Sequence, residues 1–430
     1  MGSTSLGSNH AQEEAAASVL RTTIAVRERA GQLLARARNG QSPWFVVEDG
    51  SLEGAASEVA AITRKRYPKL HVPLHSRWRH FEAGGVDRKA QLDRLLAGLP
   101  LVSRGHALMD LAVVSVLLDA GAGSHWRYVE PATGQAFTRS EGLAIASYHA
   151  FTSGLFSSDR NHPCQADSAG LRGLVTDRLA AAFQVSQSNP LVGIEERAIL
   201  LRRLGETMSE QPEVFGENGR PSGLFDMIVS PFGPGVPHTA DVAAHDILSQ
   251  LLVSLSEIWP VSNRIGNVML GDCWRHSAVR ESAEAAAACG GLTDGWVPFH
   301  KLSQWMTYSL LEPFEWTGVH VHGVNALTAL PEYRNGGLLI DSGVLRLRDG
   351  SVAEEIWQPG DEIIVEWRAL TVALMDEVAQ AVREQLRLNE TRLPLACVLE
   401  GGTWAAGREL AQRHRGGLPP LTVASDGTVF

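Results

Sequence analysis

The chain has 430 residues, of which 44% are hydrophobic and 20% are charged, a composition typical of globular proteins with one large domain or two to three smaller ones. Its formal net charge of -10 argues against general nucleic-acid binding, which needs clustered Lys and Arg side chains. The four cysteines are far apart in sequence, which argues against a zinc ribbon or a redox dithiol. No apolar run approaches the roughly 18 residues that a membrane span needs. We therefore predict a cytoplasmic protein.

Apolar residues recur every three or four positions along most of the chain, and this spacing predicts helices. The predicted helices cover residues 11–39, 51–66, 87–98, 104–121, 139–152, 165–183, 195–210, 240–258, 278–289, 362–388 and 403–414. The stretch 296–305 is expected to open a further helix that runs to about Leu311. Short strands are expected at 320–322, 343–347, 394–399 and 421–424. The pattern predicts a mainly α, multi-helix fold with a few short strands, mostly in the C-terminal part. Neither a Walker motif nor a dinucleotide glycine motif occurs, and we predict no cofactor.

Two composition shifts divide the chain. Residues 1–10 are rich in Gly and Ser, and we expect a disordered leader there. Three prolines and two glycines interrupt residues 230–238, which is the clearest break in the sequence. We place a boundary there, between an N-terminal helical lobe (11–230) and a C-terminal lobe (240–430). One continuous globular unit is the alternative.

Three histidines lie within ten residues near the start of the N-terminal lobe. His71 and His75 are four residues apart, but Pro73 lies between them and opposes one regular helix that would carry both. His75 and His80 are five apart, a spacing that suits neither face of a helix. A metal site formed by the three histidines is therefore the weaker alternative, and a packing or substrate-positioning function is favoured.

Two stretches of the N-terminal lobe have residues suited to anion binding. Arg77 and Arg79 flank a tryptophan, and guanidinium groups match the geometry of phosphate. A surface ion pair is the alternative for both arginines. Thr138 and Glu141 have the spacing of a capping box that opens a helix. Such a helix N-terminus favours anions, and Arg139 lies beside it.

Three aspartates of the same lobe are candidates for either a structural or a functional carboxylate. Asp110 and Asp119 interrupt a helix that is apolar nearly all round, and carboxylates in such positions are usually paired. Asp159 lies in the polar loop at residues 156–163. That loop is a candidate rim for a pocket, or a loop that ends in a helix N-cap.

Residues 327–339 contain the densest group of chemically useful side chains. An apolar run ends at Pro331, Glu332, Tyr333 and Arg334 follow without a gap, and two glycines come soon after. One interpretation is structural: Pro331 takes the first helical position and Glu332 faces the positive end of the helix dipole. The other is functional, since a carboxylate, a phenol and a guanidinium beside flexible glycines suit a reactive site.

Five stretches together resemble the uracil catabolism protein 4 family over essentially the whole chain. They are HSRWRHF (75–81), RSEGLA (139–144), PFHKLSQW (298–305), LPEYRNGG (330–337) and the tail from LEGGTW to SDG (399–427). The resemblance implies a function in breaking down uracil by way of its nucleotide. It also implies a partner related to GTP cyclohydrolase II, which opens the pyrimidine ring and leaves a ribosyl-urea type intermediate.

A more distant resemblance implies a reaction. The order of three motifs looks like the C-terminal half of queuosine 5′-phosphate N-glycosylase/hydrolase: Phe299-His300-Lys301-x-x-Gln304, Leu330-x-Glu332-Tyr333-Arg334, and Gly360-Asp361 to Glu366-x-Arg368. That family is mainly α and related in fold to helical DNA glycosylases, and it uses an aspartate at the glycosidic bond. Glu332 takes the place of that aspartate here, and Gly336-Gly337 replaces Pro-Gln. These departures affect the expected substrate more than the reaction type.

Cleavage of an N-riboside builds positive charge at C1′ and on the ring oxygen, which a nearby carboxylate stabilises. We therefore expect Glu332 at the reacting centre, with Tyr333 beside it. A nitrogen leaving group also takes up a proton. The candidates for that acid are Glu141, Asp159 and His300. The candidates for binding the 5′-phosphate or the rest of the substrate are Lys301, Arg334, Arg77, Arg79, Arg139 and Trp305.

The first hypothesis is thus an N-ribosyl hydrolase that acts on a small phosphorylated riboside, with neither nucleic acid nor membrane as a partner. A second is a metal-dependent amidohydrolase of the ring-opened ureide, with His71, His75, His80 and Asp272 as ligands. A third is a non-catalytic nucleotide-binding partner of the ring-opening enzyme.

Overall fold

The computed structural model describes residues 3–232, 240–260 and 263–424. It confirms the predicted mainly α fold. The helices are α1 (Ser3–Leu20), α2 (Thr23–Arg38), α3 (Leu52–Arg66), α4 (Arg77–Phe81), α5 (Arg88–Leu95), α6 (Leu101–Leu117), α7 (Arg139–Thr152), α8 (Ser168–Arg172), α9 (Thr176–Ala182), α10 (Ile194–Glu210), α11 (Pro212–Phe215), α12 (Gly223–Val229), α13 (Ala244–Ser254), α14 (Ala283–Cys289), α15 (Lys301–Trp316), α16 (Tyr333–Asp341), α17 (Glu362–Leu386), α18 (Leu395–Val398) and α19 (Trp404–Arg415). A π-helical turn, Leu399–Thr403, joins α18 to α19.

The strands of the described residues are short and pair two by two. They are β1 (Phe45–Val47), β2 (Tyr128–Val129), β3 (Ala136–Phe137), β4 (Asp241–Ala243), β5 (Arg264–Ile265), β6 (Val268–Met269), β7 (Cys273–Arg275), β8 (Trp296–Pro298), β9 (His320–His322), β10 (Leu345–Leu347), β11 (Ile356–Trp357) and β12 (Thr422–Val423). β1 pairs with β10, β2 with β3, β5 with β6, and β7 with β8, all antiparallel. β4 and β9, and β11 and β12, are parallel pairs.

Contacts along the backbone divide the chain into two compact units. The first unit contains Met1–His75, Val261–Lys301 and Val324–Ala424, and the second contains Ser76–Pro260 and Leu302–Gly323. The predicted leader, residues 1–10, overlaps the start of α1, and residues 1–2 lie outside the described residues. The predicted break at 230–238 falls mainly on residues 233–239, also outside the described residues. The lobe boundary therefore stays a prediction.

The first unit is built around α17, the longest helix described. Its buried Val365, Ala369 and Val372 are spaced four and three residues apart, so they lie on one face. They pack in one cluster with three residues of α2 that have the same spacing, Val26, Ala30 and Leu33. Burying a valine or leucine side chain contributes about 1.5–3 kcal/mol. This shared apolar face is the reason that α2 and α17 pack together.

Helix α16 is held close to α17 and α19 by two glycines. A Cβ on Gly336 would lie 2.7 Å from the indole of Trp367, and a Cβ on Gly407 would lie 2.2 Å from the backbone oxygen of Arg334. Trp367 Nε1 also donates a hydrogen bond to the Gly336 oxygen at 3.2 Å. Gly336 and Gly407 therefore serve helix packing, and Gly407 allows the start of α16 to lie against α19.

The second unit is stabilised by buried ion pairs. Arg88 donates to both carboxylate oxygens of Glu130, at 2.9 and 2.7 Å, and both residues are buried. Asp110, within α6, accepts from Arg220 at 2.6 Å. Removing one partner of such a pair is costly, because the other charge stays buried.

No helix in the described part of the chain is both long and apolar enough to cross a bilayer.

Several predicted helices have different ends. The predicted helix 11–39 is two helices, because Thr22 accepts from the Ala25 N–H and starts α2 as an N-cap. The predicted strand 394–399 is wrong: Pro394 instead precedes α18 and the π-helical turn. This short apolar run is buried, and its periodicity alone does not distinguish a strand from a helix.

Candidate functional site

Glu332 is the N-cap residue of α16 in the first unit. Its two carboxylate oxygens accept the backbone N–H groups of Arg334 and Asn335, each at 2.7 Å. The helix begins at Tyr333 and not at Pro331, so Glu332 itself satisfies two donors of the first turn. Burial raises the pKa of Glu332 above its usual value, although both N–H groups and the charges of Arg334 and Lys301 oppose this shift.

The guanidinium of Arg334 lies beside two aromatic rings. It is 4.4 Å from the ring centre of Trp404 and 5.2 Å from that of Tyr333, and the residue is only 5% exposed. Within the described residues its side chain makes neither a hydrogen bond nor an ion pair. Ring faces stabilise a cation but leave its N–H donors unused. Arg334 therefore retains hydrogen-bonding capacity for an anionic or carbonyl group.

Asp272 organises the start of α15. Its carboxylate accepts hydrogen bonds from both terminal nitrogens of Arg368, each at 2.7 Å. It also accepts hydrogen bonds from the indole N–H of Trp274 at 2.7 Å and from the backbone N–H of Lys301 at 2.9 Å. Burial alone would raise the pKa of Asp272, but the charge and hydrogen bonds of Arg368 outweigh it and hold that pKa well below the usual range. Asp272 thus fixes the position of Lys301 and stays ionised.

His300 is constrained in backbone and side chain. It has a φ of 50°, a left-handed conformation that is rare outside glycine. Its Nε2 lies 2.9 Å from the carbonyl oxygen of Leu20, to which it can only donate. Burial lowers the pKa of His300. A neutral ring whose one N–H faces a carbonyl oxygen is poorly suited to protonate a leaving group.

Residues of all three motifs that carry the distant resemblance belong to the first unit, although Gln304 of the first motif belongs to the second unit. The ion pair joins Arg368 of α17 to Asp272, the residue before β7, and Asp272 also accepts the Lys301 N–H. The charge of Lys301 in turn acts on Glu332. The charges of Lys301 and Arg334 both lower the pKa of Glu332, so these three residues of the predicted site interact electrostatically. Sequence reasoning included Arg368 only through the resemblance and considered Asp272 only as a metal ligand.

Other predicted residues form a separate buried group in the second unit. Arg77 is fully buried and contacts Asp119 at 2.8 Å, and its Nη1 lies 3.1 Å from Nδ1 of His80. The indole of Trp305 donates to Asp119 at 3.2 Å. Burial lowers the pKa of Arg77, while the charges of Asp119 and Glu141 oppose this shift. Asp119 balances the charge of Arg77, and the assignment of Arg77 as a phosphate ligand stays a prediction.

The remaining arginines of the prediction belong to the second unit. Arg79 forms an ion pair with Glu312 at 2.9 Å, and because the two side chains are only 17% and 15% exposed, this pair is partly buried and is not a surface pair. Arg139 is exposed and has a φ of 53° at the first position of α7. The predicted capping box is wrong, because the Thr138 side chain makes no capping hydrogen bond.

Asp159 makes hydrogen bonds within its own loop. Its carboxylate accepts from His162 Nδ1 at 2.7 Å and from the Asn161 N–H at 2.8 Å. The hydrogen bond from His162, followed by that from Asn161, lowers the pKa of Asp159. An aspartate that is more acidic than usual is a poor proton donor at neutral pH.

The three histidines of the metal alternative have other surroundings. His71 is exposed, His75 contacts Glu400 in the first unit, and His80 contacts Arg77 in the second. Among the described residues no group of three or more His, Cys, Asp or Glu side chains is placed to hold a metal ion. Asp272, the fourth ligand of that hypothesis, is engaged by Arg368 as described above.

Glu400, in the π-helical turn, is a buried carboxylate that the sequence did not single out. It accepts from Arg66 at 2.8 Å and from Tyr67 at 3.1 Å, and it contacts His75 Nδ1 at 2.9 Å. Burial would raise the pKa of Glu400, but the hydrogen bond and charge of His75 and the contribution of Arg66 lower it to about 2. π-Helical turns often occur at functional sites, and this one contacts α16.

This shift predicts acid sensitivity. Because the pKa of Glu400 is lower in the folded protein than in the unfolded chain, its contribution is present above about pH 4.5 and is lost as the pH falls toward 2. We expect wild type to lose about 2 kcal/mol more unfolding free energy than Glu400→Gln between pH 6 and pH 3. Urea unfolding at each pH measures this, with the exposed Glu53→Gln as control. Equal losses in wild type and Glu400→Gln would contradict the prediction.

The fold and site define a mainly α-helical protein with a partly buried carboxylate at the start of a central helix. A family model described as a protein of unknown function (DUF1688) matches residues 19–430. Protein urg3 of Schizosaccharomyces pombe is 38% identical over 415 residues, covering 94% of this chain and 96% of that protein. Uracil catabolism protein 4 of Lachancea kluyveri is 36% identical over 440 residues, covering 96% and 98%. The chain belongs to this family, which confirms the resemblance found in the sequence.

Proposed function

We propose that this protein is an enzyme of uracil catabolism that hydrolyses the N-ribosyl bond of a 5′-phosphorylated ribosyl-urea or a related pyrimidine-nucleotide-derived substrate. The name of the Lachancea kluyveri relative supports the pathway. The observation that carries the reaction is Glu332, a partly buried carboxylate with a raised pKa that accepts two backbone N–H groups and interacts electrostatically with Lys301 and Arg334. An enzyme related to GTP cyclohydrolase II would supply the ring-opened substrate.

The position of Glu332 suits this chemistry. A carboxylate has about four acceptor sites, and the two backbone N–H groups use one on each oxygen. The remaining sites can stabilise the positive charge that builds at C1′ and accept a proton from water. In the hydrolysis, the water oxygen bonds to C1′, the C1′–N bond breaks, and the water proton passes to Glu332. A raised pKa makes the carboxylate a better base for this step.

The departing nitrogen needs a proton as well. His300 and Asp159 are poorly suited, for the reasons given above. Glu141 belongs to the second unit and Glu332 to the first, so the proposed proton donor to the departing nitrogen is solvent water. With urea as the leaving group, the products are urea and ribose 5-phosphate, and Glu332 returns its proton to solvent.

Lys301 is proposed to bind the 5′-phosphate. It is the first residue of α15, and Asp272 fixes its backbone. Hydrogen bonds to charged groups contribute about 1.5–3 kcal/mol, so Lys301→Ala should raise KM for the phosphorylated riboside about 10- to 100-fold. The unphosphorylated riboside should show a much smaller change. The exposed Lys65→Ala, in the same unit, serves as control. Equal effects on both ribosides would argue against Lys301 as the phosphate ligand.

The function itself is tested by mass spectrometry of reaction mixtures. The purified protein is incubated with ribosyl-urea 5-phosphate and with a panel of nucleoside 5′-monophosphates. Release of urea or a base together with ribose 5-phosphate supports the proposal, and its loss in Glu332→Gln assigns the carboxylate. Binding of these ligands without turnover, with or without added divalent metal, would reject the hydrolase and favour a nucleotide-binding partner.

A further inference from the structure

Asn335 carries a buried hydrogen-bond acceptor that no described group fills. The residue is 3% exposed and occupies the third position of α16, where its N–H donates to Glu332 at 2.7 Å. Its side-chain Nδ2 donates to the carbonyl oxygen of Leu330 at 3.1 Å. The amide oxygen Oδ1 is buried and has no hydrogen-bond partner in the part of the chain that the structure describes.

The orientation of this amide follows from its one partner. If the amide were rotated by 180°, Oδ1 would face the Leu330 carbonyl oxygen, and two acceptors would repel each other. The nitrogen must therefore face Leu330, and the oxygen is the atom left over. A buried acceptor without a partner costs about 1–3 kcal/mol, so a donor supplied by a bound molecule is strongly favoured there.

The neighbours of Asn335 indicate what kind of molecule this is. The residue before it, Arg334, has donors that no described group uses, and the residue three before it is Glu332. The first turn of α16 thus presents a carboxylate, unused donors and one unused acceptor. A ureido group matches the last two features, because its carbonyl accepts and its N–H groups donate.

We propose that Asn335 Oδ1 accepts an N–H of the ureido group and so selects ring-opened ureides, while Arg334 faces the oxygen-rich part of the ligand. This inference rests on the proposed N-ribosyl hydrolase and names its specificity residue. The principle is general: a site built to accept a hydrogen bond discriminates strongly against an analogue that lacks the donor.

The test compares two substrates of different leaving group. One is ribosyl-urea 5-phosphate, and the other is a pyridinium N-riboside 5-phosphate, whose leaving group has no N–H donor. In Asn335→Leu the ratio of kcat/KM for the ureide to that for the pyridinium riboside should fall about 10- to 100-fold. Asn335→Asp keeps an acceptor of the same length but places a second oxygen against the Leu330 carbonyl, so it should be less stable than wild type while its folded fraction retains more of the ratio than Asn335→Leu does. Asn389→Leu is the control, since Oδ1 of Asn389 already accepts the Arg392 N–H at 3.0 Å.

The outcomes separate the two proposals. If wild type hydrolyses neither substrate, the proposed function fails. If wild type hydrolyses both and Asn335→Leu keeps the wild-type ratio, only the inference about Asn335 fails. If Asn335→Leu does not fold, the inference is tested with the wild-type protein alone. Its kcat/KM for an analogue methylated on every ureido nitrogen should be at least about 10-fold lower than for ribosyl-urea 5-phosphate. Equal kcat/KM for the two substrates would overturn the inference.

Discussion

Replacing Glu332 with glutamine is expected to lower kcat about 100- to 10,000-fold, the usual contribution of a general base. Glutamine cannot accept a proton from water and has no charge to stabilise the developing cation at C1′. The substrate affinity should change less, because Lys301 and Arg334 remain in place. Single-turnover kinetics with ribosyl-urea 5-phosphate, followed by mass spectrometry, measures this directly.

The matched controls separate chemistry from folding. Glu332→Asp keeps a carboxylate and a favoured N-cap residue, so its α16 should form normally while the reacting oxygen is withdrawn by one methylene. We expect its kcat to lie between those of wild type and Glu332→Gln. Thermal melting checks that each variant is folded. Undiminished turnover in a folded Glu332→Gln protein would move the reacting carboxylate elsewhere.

The raised pKa of Glu332 adds a pH signature to the same experiment. The base must be ionised, so kcat/KM of wild type should decline on the acid side at a pH above the ordinary glutamate range. The acid limb should be displaced or absent in the residual activity of Glu332→Gln. An acid limb at the same pH in both proteins would show that another group causes it.

The sequence predicted helices well where one apolar face recurs over many residues. The predicted helix 362–388 matches α17, because Val365, Ala369 and Val372 repeat at helical spacing and are all buried. The prediction of a strand at 394–399 is wrong, because this apolar run is too short to show a helical or strand period. It forms α18 and the start of the π-helical turn. The apolar pattern of a stretch predicts its secondary structure, except where packing against the rest of the protein determines which structure forms.

The site was harder to predict, for a related reason. The Glu332 stretch was recognised because its residues are adjacent in sequence. Asp272 and Arg368 are 96 residues apart, and nothing local in either stretch indicates that they form a bidentate pair. The unused acceptor of Asn335 was also invisible, because an unfilled hydrogen bond exists only relative to the folded surroundings.

Replacing Arg368 with methionine is expected to destabilise the protein by about 3–5 kcal/mol, the usual cost of leaving one charge of a buried pair without its partner. Asp272 would lose two hydrogen bonds of 2.7 Å while staying at most 9% exposed. Urea unfolding measures the free energy. The control is Arg346→Met, which removes an ion pair to Glu48 whose side chains are 60% and 47% exposed, and it should cost less.

A double variant distinguishes the buried charge from lost packing. If the unpaired carboxylate is the main cost, Asp272→Asn should restore much of the stability in the Arg368→Met background, because a neutral amide is less expensive to bury. If lost packing of Arg368 against the Phe299 ring, 4.1 Å away, is the main cost, the double variant should stay as unstable as Arg368→Met. Recovery of stability without recovery of Lys301-dependent phosphate binding would show that Asp272 also positions the start of α15 for the ligand.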